Sequence, residues 1–270
     1  MKKTALITGG SSGLGLEMAR NLRAQGYDLI LLARDRQKLE RARQQLLEHN
    51  SSAVVNTYAC DVANEDELNN TFQQIKSDYD RIDFLILNAG VATIDLLGDY
   101  KSLGEVTGSI KINLLGAVGT TYLSIPLLQS GSRILFISSG FGLFGAAGYS
   151  LYATAKAGII NFADALRREL LHRNISVHVA CPGDIDTPML AGELQTMPAW
   201  MKAGSGRATP LGADKAADYI LRKCVKRRFM IVPSLDVSFL ILLQKLLPRK
   251  LTTLIIDHVL PLPPKDESLT

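Results

Sequence analysis

Tyr152 and Lys156 stand four residues apart, so a helix would carry the phenol and the ammonium on one face. The same spacing recurs at Tyr219 and Lys223, and spacing alone therefore selects neither pair. Only the first tyrosine has a serine, Ser139, thirteen residues before it, at the end of an apolar run that is typical of a strand. Open parallel sheets bind ligands at the carboxyl ends of their strands, which makes the first pair the candidate for chemistry.

The chemistry that this pair could perform is proton transfer. A tyrosine has a reference pKa near 10, which makes it a poor acid or base at neutral pH. An ammonium about 5 Å away, at an effective dielectric constant of about 20, favours the phenolate by roughly 3 kcal/mol, or about two pKa units. We therefore expect Lys156 to bring the pKa of Tyr152 toward working pH. Ser138 competes with Ser139 for the role of the neighbouring hydroxyl, and the thirteen-residue spacing favours Ser139.

A glycine-rich turn follows the first apolar run of the chain and precedes an amphipathic helical pattern that stops at Gly26. A pyrophosphate needs backbone N–H groups at close approach and the positive end of a helix dipole. A Cβ atom at any of the three spaced glycines would hold that group away. The turn predicts a dinucleotide site whose residues are Gly9, Ser11, Ser12, Gly13, Leu14 and Gly15.

The end of the second apolar run carries Arg34 and Asp35. A carboxylate at this position accepts from the ribose 2′-hydroxyl of NAD(H), whereas an arginine pairs with the 2′-phosphate of NADP(H). Arg34 stands where the acid would be expected, and Arg36 is nearby, so we predict NADP(H). Asp35 keeps NAD(H) open as the alternative.

Six short apolar runs alternate with helical patterns along the chain. This alternation predicts an α/β fold, a Rossmann-type doubly wound parallel β-sheet with helices on both faces. A composition break is absent before about residue 222, so we expect a single domain at 1–230 and a C-terminal extension at 231–270. The predicted strands are 5–8, 29–33, 53–59, 84–87, 133–138 and 176–180.

The composition narrows the class of protein further. The 270 residues are 47% hydrophobic, which excludes a disordered chain, and their net charge of +4 is too mild for a nucleic-acid partner. Three scattered cysteines suggest a reducing cytoplasm, and four scattered histidines predict no metal site. The apolar run near the start is shorter than that of a signal peptide.

Several segments together resemble the short-chain dehydrogenase/reductase family, over roughly residues 3–230. The match rests on the turn at 8–15, the run Asn88-Ala89-Gly90, Asn113, Ser139, Tyr152 with Lys156, and the segment 182–187. One departure is Leu87, where the family often has a second asparagine. The resemblance implies an NADP-dependent oxidoreductase, acting on ketones or alcohols, that forms a dimer or tetramer.

The resemblance also implies roles for individual residues. Tyr152 would donate the proton, Ser139 would hold the carbonyl oxygen, Lys156 would also bind the nicotinamide ribose, and Asn113 would anchor a water-linked proton relay. Further cofactor contacts are implied at Asp61 and Val62 for the adenine, at Asn88, Ala89 and Gly90 for the cofactor floor, and at Pro182, Gly183, Ile185 and Thr187 around the nicotinamide.

The segment 188–210 is apolar and interrupted by glycines. It predicts either a mobile lid over an apolar substrate or a helical segment packed on the core. The run 143–145, the segment 184–188 and the apolar extension are also similar to the 3-ketodihydrosphingosine reductases, from whose pattern Pro182-Gly183 departs. This similarity implies a long-chain, lipid-like ketone as substrate. A 3-oxoacyl carrier-protein reductase and a non-catalytic NADP(H)-binding regulator are the alternatives.

The extension has its own charge and hydropathy. Between Arg222 and Lys250 the chain carries eight basic residues and one acid, a net +7 that leaves about −3 for the rest. The apolar runs 235–247 and 254–262 are too short to span a bilayer. We expect a cytoplasmic protein whose segment 222–262 contacts the inner face of a membrane, with a subunit contact, core packing or a carrier-protein dock as alternatives.

Overall fold

The computed structural model describes residues 2–48, 52–203 and 209–263. The strands in this part of the chain are β1 (Thr4–Thr8), β2 (Asp28–Ala33), β3 (Val55–Ala59), β4 (Ile82–Leu87), β5 (Leu128–Ile137), β6 (Ser176–Ala180), β7 (Ile185–Asp186), β8 (Leu211–Gly212) and β9 (Met230–Ile231). The helices are α1 (Gly13–Ala24), α2 (Arg36–Leu47), α3 (Glu65–Asp78), α4 (Leu103–Ile110), α5 (Gly116–Ser124), α6 (Ser150–Glu169), α7 (Pro188–Thr196), α8 (Ala199–Ala203), α9 (Ala213–Val225), α10 (Leu235–Leu246) and α11 (Arg249–Val259). A π-helical turn at Lys111–Leu115 joins α4 to α5, and short 3-10 turns lie at Leu97–Asp99, Ile125–Leu127, Gly140–Gly142 and Leu171–Arg173.

Seven strands form one parallel sheet in the order β3-β2-β1-β4-β5-β6-β9. The chain builds outward from β1 in both directions, since Thr8 pairs with Leu32 of β2 on one side and with Leu87 of β4 on the other. This reversal opens a crevice at the carboxyl ends of β1 and β4. The fold is the predicted doubly wound α/β sheet.

Helices cover both faces of the sheet because each strand alternates its apolar side chains between the faces. On one face, α1, α2 and α9 pack with residues such as Met18, Leu39 and Ile220. On the other face, α3, α5 and α6 pack with residues such as Phe72 and Ile159. These buried layers fix the strands whose carboxyl ends carry the candidate site.

The predicted strands are found with shifted ends, and Gly26 follows α1 at φ +83°, as a left-handed residue after a helix should. The prediction of six strands was one short for this sheet, and it also missed β7 and β8, which pair with each other in a separate two-stranded sheet. The seventh strand, β9, has only two residues, and the pairing of Ile231 with Ala180 defines it. The boundary predicted between residues 230 and 231 falls within this strand and stays a prediction.

The extension packs beside the carboxyl edge of the sheet. Ser234, just before α10, accepts a hydrogen bond from the backbone N–H of Gly183 at 2.6 Å, and the Val237 side chain packs on Gly140. The basic residues at 222–228 precede β9 and therefore lie toward the opposite, amino edge. Within the described residues, every helix is too short or too polar to cross a membrane.

Candidate active site

One cleft of about 1120 Å³ runs along the carboxyl ends of the strands. All the predicted cofactor-binding residues line it except Gly15. Ser139, Tyr152 and Lys156 line it as well, so the sequence motifs that are far apart in the chain meet in one place.

The glycines of the turn after β1 are required by the turn's own conformation. Gly9 and Gly13 have φ of +67° and +53°, a region that other residues rarely adopt. A Cβ on Gly15 would lie 2.4 Å from the Gly9 carbonyl oxygen. Gly15 packs against its own turn and does not line the cleft, and its contact with the cofactor stays a prediction.

The beginning of α1 fits an anionic group. Ser12 occupies the N-cap position without a side-chain capping hydrogen bond, and the first turn contains no acid. The backbone N–H groups there have neither a capping side chain nor a carboxylate to compete with an anion. The turn residues Ser11, Ser12, Gly13 and Leu14 border the cleft at this point, where a pyrophosphate can be held.

Arg34 and Lys38 both border the end of the cleft beyond β2. Asp35 lies between them and caps α2, since its carboxylate accepts from the backbone N–H of Lys38 at 3.0 Å. This hydrogen bond holds the pKa of Asp35 below its usual value. Sequence reasoning missed Lys38, although its position one helical turn after Arg34 is a signal that could have found it.

The ends of β1 and β4 are joined by side chains. The Asn88 amide donates to the carbonyl oxygens of Thr8 and Gly9, and the Thr8 hydroxyl accepts from the N–H groups of Asn88 and Ala89. Asp61 shapes a local turn, because its carboxylate accepts from Ala63 N–H, and it also borders the cleft. These bonds hold open the space that an adenine and a ribose would need.

Ser138 and Ser139 point in different directions. The buried Ser138 hydroxyl donates to the backbone carbonyl of Lys156 at 2.8 Å. The Ser139 side chain instead lies within hydrogen-bonding reach of the Tyr152 hydroxyl. Of the two serines, Ser139 is the one placed against Tyr152.

Burial dominates the electrostatics of Tyr152 and Lys156. Burial raises the pKa of Tyr152 to about 12. The carboxylates of Glu193 and Asp184 also raise this pKa, whereas the hydrogen bond with Ser139 lowers it. Burial also lowers the pKa of Lys156 to about 8. The expectation that Lys156 would lower the pKa of Tyr152 is therefore wrong for the chain on its own. Burial is the largest cause of the pKa shift of each group, although the Lys156 Nζ lies only 5.5 Å from the centre of the Tyr152 ring.

Asn113 lies in the π-helical turn between α4 and α5, and its side chain is buried. Its amide nitrogen donates to the carbonyl oxygens of Val91 and Ser109, and its Oδ1 accepts from Val91 N–H. The side chain thus binds the loop after β4 and does not line the cleft. A role in a proton relay would have to use the backbone of Asn113.

An apolar wall stands beside Tyr152. Tyr149 is buried against Met197 and Met201, and its ring stacks on Phe141 at 4.4 Å between centres. The Tyr149 hydroxyl also hydrogen-bonds Glu193. Of the segment 188–210, residues 188–203 contain α7 and α8, and their side chains pack beside Tyr149 and Tyr152. Two of the glycines of this segment, Gly204 and Gly206, lie outside the described residues.

The extension supplies the far wall of the same cleft, which sequence reasoning did not predict. The side chains of α10 and α11 that border it include Val237, Leu240, Leu243, Ile255 and Val259. The second tyrosine–lysine pair lies on α9, with the Lys223 Nζ 5.0 Å from the Tyr219 ring centre, and Tyr219 does not line the cleft. Among the described residues, no three His, Cys, Asp or Glu side chains gather as a metal site.

A cleft that begins at a glycine-rich turn and ends on a serine and a tyrosine indicates an oxidoreductase that binds a dinucleotide. The sequence model of the family described as "short chain dehydrogenase" matches residues 3–198. The chain belongs to this short-chain dehydrogenase/reductase family, whose members are oxidoreductases that bind nicotinamide cofactors.

Curated relatives of several kinds resemble the chain. Carbonyl reductase family member 4 of Xenopus tropicalis is 32% identical over 194 residues, covering 71% of this chain and 79% of the relative. The 3-oxoacyl-[acyl-carrier-protein] reductase of Homo sapiens is 31% identical over 191 residues, or 70% and 78% of the two chains. The 3-ketodihydrosphingosine reductase of Bos taurus is 31% identical over 231 residues, or 83% and 69%.

Solved structures share the fold. Levodione reductase superposes with a TM-score of 0.75 at 25% identity, covering 85% of this chain and 95% of the other. A short-chain dehydrogenase from Burkholderia cenocepacia J2315 in complex with NADP gives 0.73 at 23% identity, with the same coverage. One from Burkholderia phymatum in complex with NAD gives 0.78 at 20% identity, covering 97% of each chain.

Proposed function

We propose that this enzyme uses NADP(H) to reduce a ketone on an apolar, long-chain, lipid-like substrate, or to oxidise the corresponding alcohol. The observation that carries the proposal is the continuity of the cleft. Ser139, Tyr152 and Lys156 lie at one part of it, and the apolar side chains of α10 and α11 line another. A polar reacting end next to an apolar wall suits a substrate with a carbonyl group and an aliphatic chain.

The cofactor would lie along the strand ends. Ser11, Ser12, Gly13 and Leu14 would hold the pyrophosphate, while Asp61 and Val62 would contact the adenine. The floor would be formed by Asn88, Ala89 and Gly90, and the nicotinamide end would meet Tyr152, Lys156, Pro182, Gly183, Ile185 and Thr187. All of these residues border the cleft.

Arg34 and Lys38 support NADP(H) over NAD(H). Both border the end of the cleft that would receive the adenosine ribose, so two cations would face a 2′-phosphate. Asp35, the acid that could serve NAD(H), already accepts the backbone N–H of Lys38 as the N-cap of α2. A carboxylate fixed as a helix cap is a weaker partner for a ribose hydroxyl.

When bound, the nicotinamide supplies the hydride that reaches the carbonyl carbon. The Tyr152 hydroxyl gives its proton to the carbonyl oxygen, so its O–H bond breaks as the alcohol O–H bond forms. The Ser139 hydroxyl donates a hydrogen bond to the same oxygen and stabilises its developing charge. The raised pKa of Tyr152 keeps the phenol protonated at neutral pH, which is the form that a proton donor needs.

A second candidate substrate is a 3-oxoacyl group on a carrier protein. Two observations favour it: a human relative of that name aligns with 70% of the chain, and Lys245, Arg249 and Lys250 are exposed near the cleft. An acidic carrier could dock on these cations. Comparison of one acyl chain presented on the carrier protein and as a free ketone would distinguish the two substrates.

A non-catalytic NADP(H)-binding regulator is the remaining alternative. A regulator would have no need of a serine hydroxyl beside a half-buried tyrosine that borders the cleft, and this pairing therefore favours an enzyme. We also propose a cytoplasmic homo-oligomer. Leu103, Leu115 and Tyr122 on and between α4 and α5 are exposed, as expected of a subunit contact, and sedimentation of the full chain would test it.

The decisive experiment incubates the purified full-length chain with NADPH or NADH and a series of ketones of increasing chain length. We expect oxidation of NADPH in preference to NADH, with kcat/KM rising with chain length. Binding of NADPH without its oxidation by any ketone would favour the regulator. A clear preference for NADH would overturn the argument from Arg34 and Lys38.

A further inference from the structure

The helix α10 is apolar on two sides. Its inner side chains, Val237, Leu240 and Leu243, line the cleft. A second set recurs at intervals of four, three and four residues, which places it on one helical face, and each member is at least 50% exposed. We call this set the outer stripe: Leu235, Phe239, Leu242 and Leu246.

The neighbouring helix extends the apolar surface. On α11, Leu251 and Leu254 are exposed, while Ile255 and Val259 line the cleft. A soluble helix normally turns a polar face to water, and a helix that is apolar on both sides is normally covered on both. Leu235 and Phe239 also border the cleft, whereas Leu242 and Leu246 lie outside it. The C-terminal half of the outer stripe therefore has the composition of a surface that another apolar phase covers.

The charges around the stripe indicate which phase that is. Lys245, Arg249 and Lys250 gather at the turn between α10 and α11, beside Leu246, and all three are exposed. The segment 235–259 contains these three cations and two acids, Asp236 and Asp257, which stand near its two ends and away from the turn. Exposed leucines flanked by cations match the interface of an anionic phospholipid layer, where apolar burial and electrostatic attraction add.

We propose that the outer stripe docks α10 and α11 on the surface of an anionic bilayer, so that the cleft receives its apolar substrate from the lipid. The stripe lies in the interface without crossing it, since α10 has twelve residues. This inference rests on the proposed function only for the identity of the substrate. Docking itself depends on the helices and can be measured separately.

The test measures co-sedimentation of the full-length chain, with NADPH bound, on vesicles of phosphatidylcholine alone or mixed equally with phosphatidylglycerol. We expect binding to the mixed vesicles. The variant Leu242→Ser/Leu246→Ser should bind them about tenfold more weakly or worse, because two leucines lose their burial. The matched control Leu47→Ser/Leu171→Ser removes two exposed leucines from distant parts of the fold and should bind as the natural chain does.

A second variant tests the electrostatic contribution. Lys245→Gln/Arg249→Gln/Lys250→Gln should bind both kinds of vesicle equally, because the three charges that prefer anionic lipid are gone. None of the substituted residues lines the cleft, so every variant should reduce a short, water-soluble ketone at the natural rate in the absence of vesicles. The ketone assay therefore tests the proposed function separately from docking. If the natural chain does not reduce any ketone, the proposed function is wrong, and the vesicle experiment still tests docking.

Two results would overturn the docking proposal. Equal binding of the natural chain and the stripe variant to mixed vesicles would show that the outer stripe does not contact lipid. The second result is a natural chain that does not bind vesicles but forms an oligomer, together with a stripe variant that is a monomer in analytical ultracentrifugation. This result would show that the stripe contacts a second copy of the protein.

Discussion

The Lys156 Nζ lies 5.5 Å from the centre of the Tyr152 ring and donates a hydrogen bond to the Ile137 carbonyl oxygen at 2.9 Å. The ammonium is thus anchored to the end of β5 and turned toward the backbone. Lys156 is buried and Tyr152 is half-buried, and desolvation disfavours the charged form of each. The pair consists of a phenol held protonated beside a lysine that loses its proton easily.

This arrangement makes the direction of the reaction depend on pH. Alcohol oxidation needs the phenolate of Tyr152 as base, and its pKa of about 12 makes that form scarce at neutral pH. We expect kcat for oxidation to rise steadily from about pH 7 to 10, while kcat for reduction does not rise. Steady-state rates in both directions would check this, and an oxidation rate that is flat over the range would contradict it.

The lowered pKa of Lys156 predicts a change of stability with pH. Between about pH 8, its folded pKa, and the ordinary value of 10.5, the unfolded chain binds a proton that the folded chain does not. The folded state therefore gains stability as pH rises through this window, by on the order of 3 kcal/mol for the full shift.

The variant Lys156→Met lacks this pH-dependent contribution to the stability of the folded state. Its melting temperature relative to the natural chain should therefore fall as pH is raised from about 7 to 9.5. Scanning calorimetry of both proteins would measure this difference in melting temperature below about pH 10. Above that pH, the raised pKa of Tyr152 makes the folded state lose stability as pH rises. A difference in melting temperature that does not change with pH would count against a charged, desolvated Lys156 at neutral pH.

The two serines after β5 should separate into a catalytic and a structural role. Ser139→Ala should lower kcat by about tenfold or more, because it removes the hydroxyl beside Tyr152, and should cost about 1 kcal/mol of stability, because that hydroxyl also accepts from Phe141 N–H. Ser138→Ala should instead cost about 1 to 3 kcal/mol of stability, since the Lys156 carbonyl oxygen loses its buried partner. Turnover and chemical denaturation of both variants would test this, and the reverse pattern would reassign the roles.

Cofactor preference should depend on the cations after β2. Arg34→Ala/Lys38→Ala should raise KM for NADPH about tenfold or more and leave KM for NADH nearly unchanged, because only NADPH carries the 2′-phosphate. Arg41→Ala, a change one turn further along α2 and outside the cleft, serves as the control. Equal effects on both cofactors would mean that these cations do not bind the phosphate.

Much of the site could be predicted because its residues follow strands that are recognisable from their apolar runs. The turn after β1, Arg34 after β2 and Ser139 after β5 each stand at a strand end, and parallel strands bring those ends together. The role of Gly15 stays a prediction, because a glycine can be required by contact with its own turn, here with the Gly9 carbonyl, as well as by a ligand.

Other features depend on tertiary contacts that no local pattern encodes. The two residues of β9 form a strand only because β6 offers them a partner. The pKa of Tyr152 depends on how completely α6 and its neighbours exclude water, which spacing in the sequence does not reveal. The apolar runs of the extension predicted membrane contact, with a subunit contact, core packing or a carrier-protein dock as alternatives, but the sequence did not tell which side chains of α10 line the cleft.

The central claim is that Tyr152 transfers the proton, and Tyr152→Phe tests it against a control in the same chain. Tyr219→Phe alters a tyrosine with the same lysine spacing on α9, outside the cleft. In single-turnover reduction with NADPH bound, we predict at least about a 100-fold lower rate for Tyr152→Phe, nearly unchanged NADPH affinity, and the natural rate for Tyr219→Phe. A Tyr152→Phe variant that reduces the ketone at the natural rate would contradict the account.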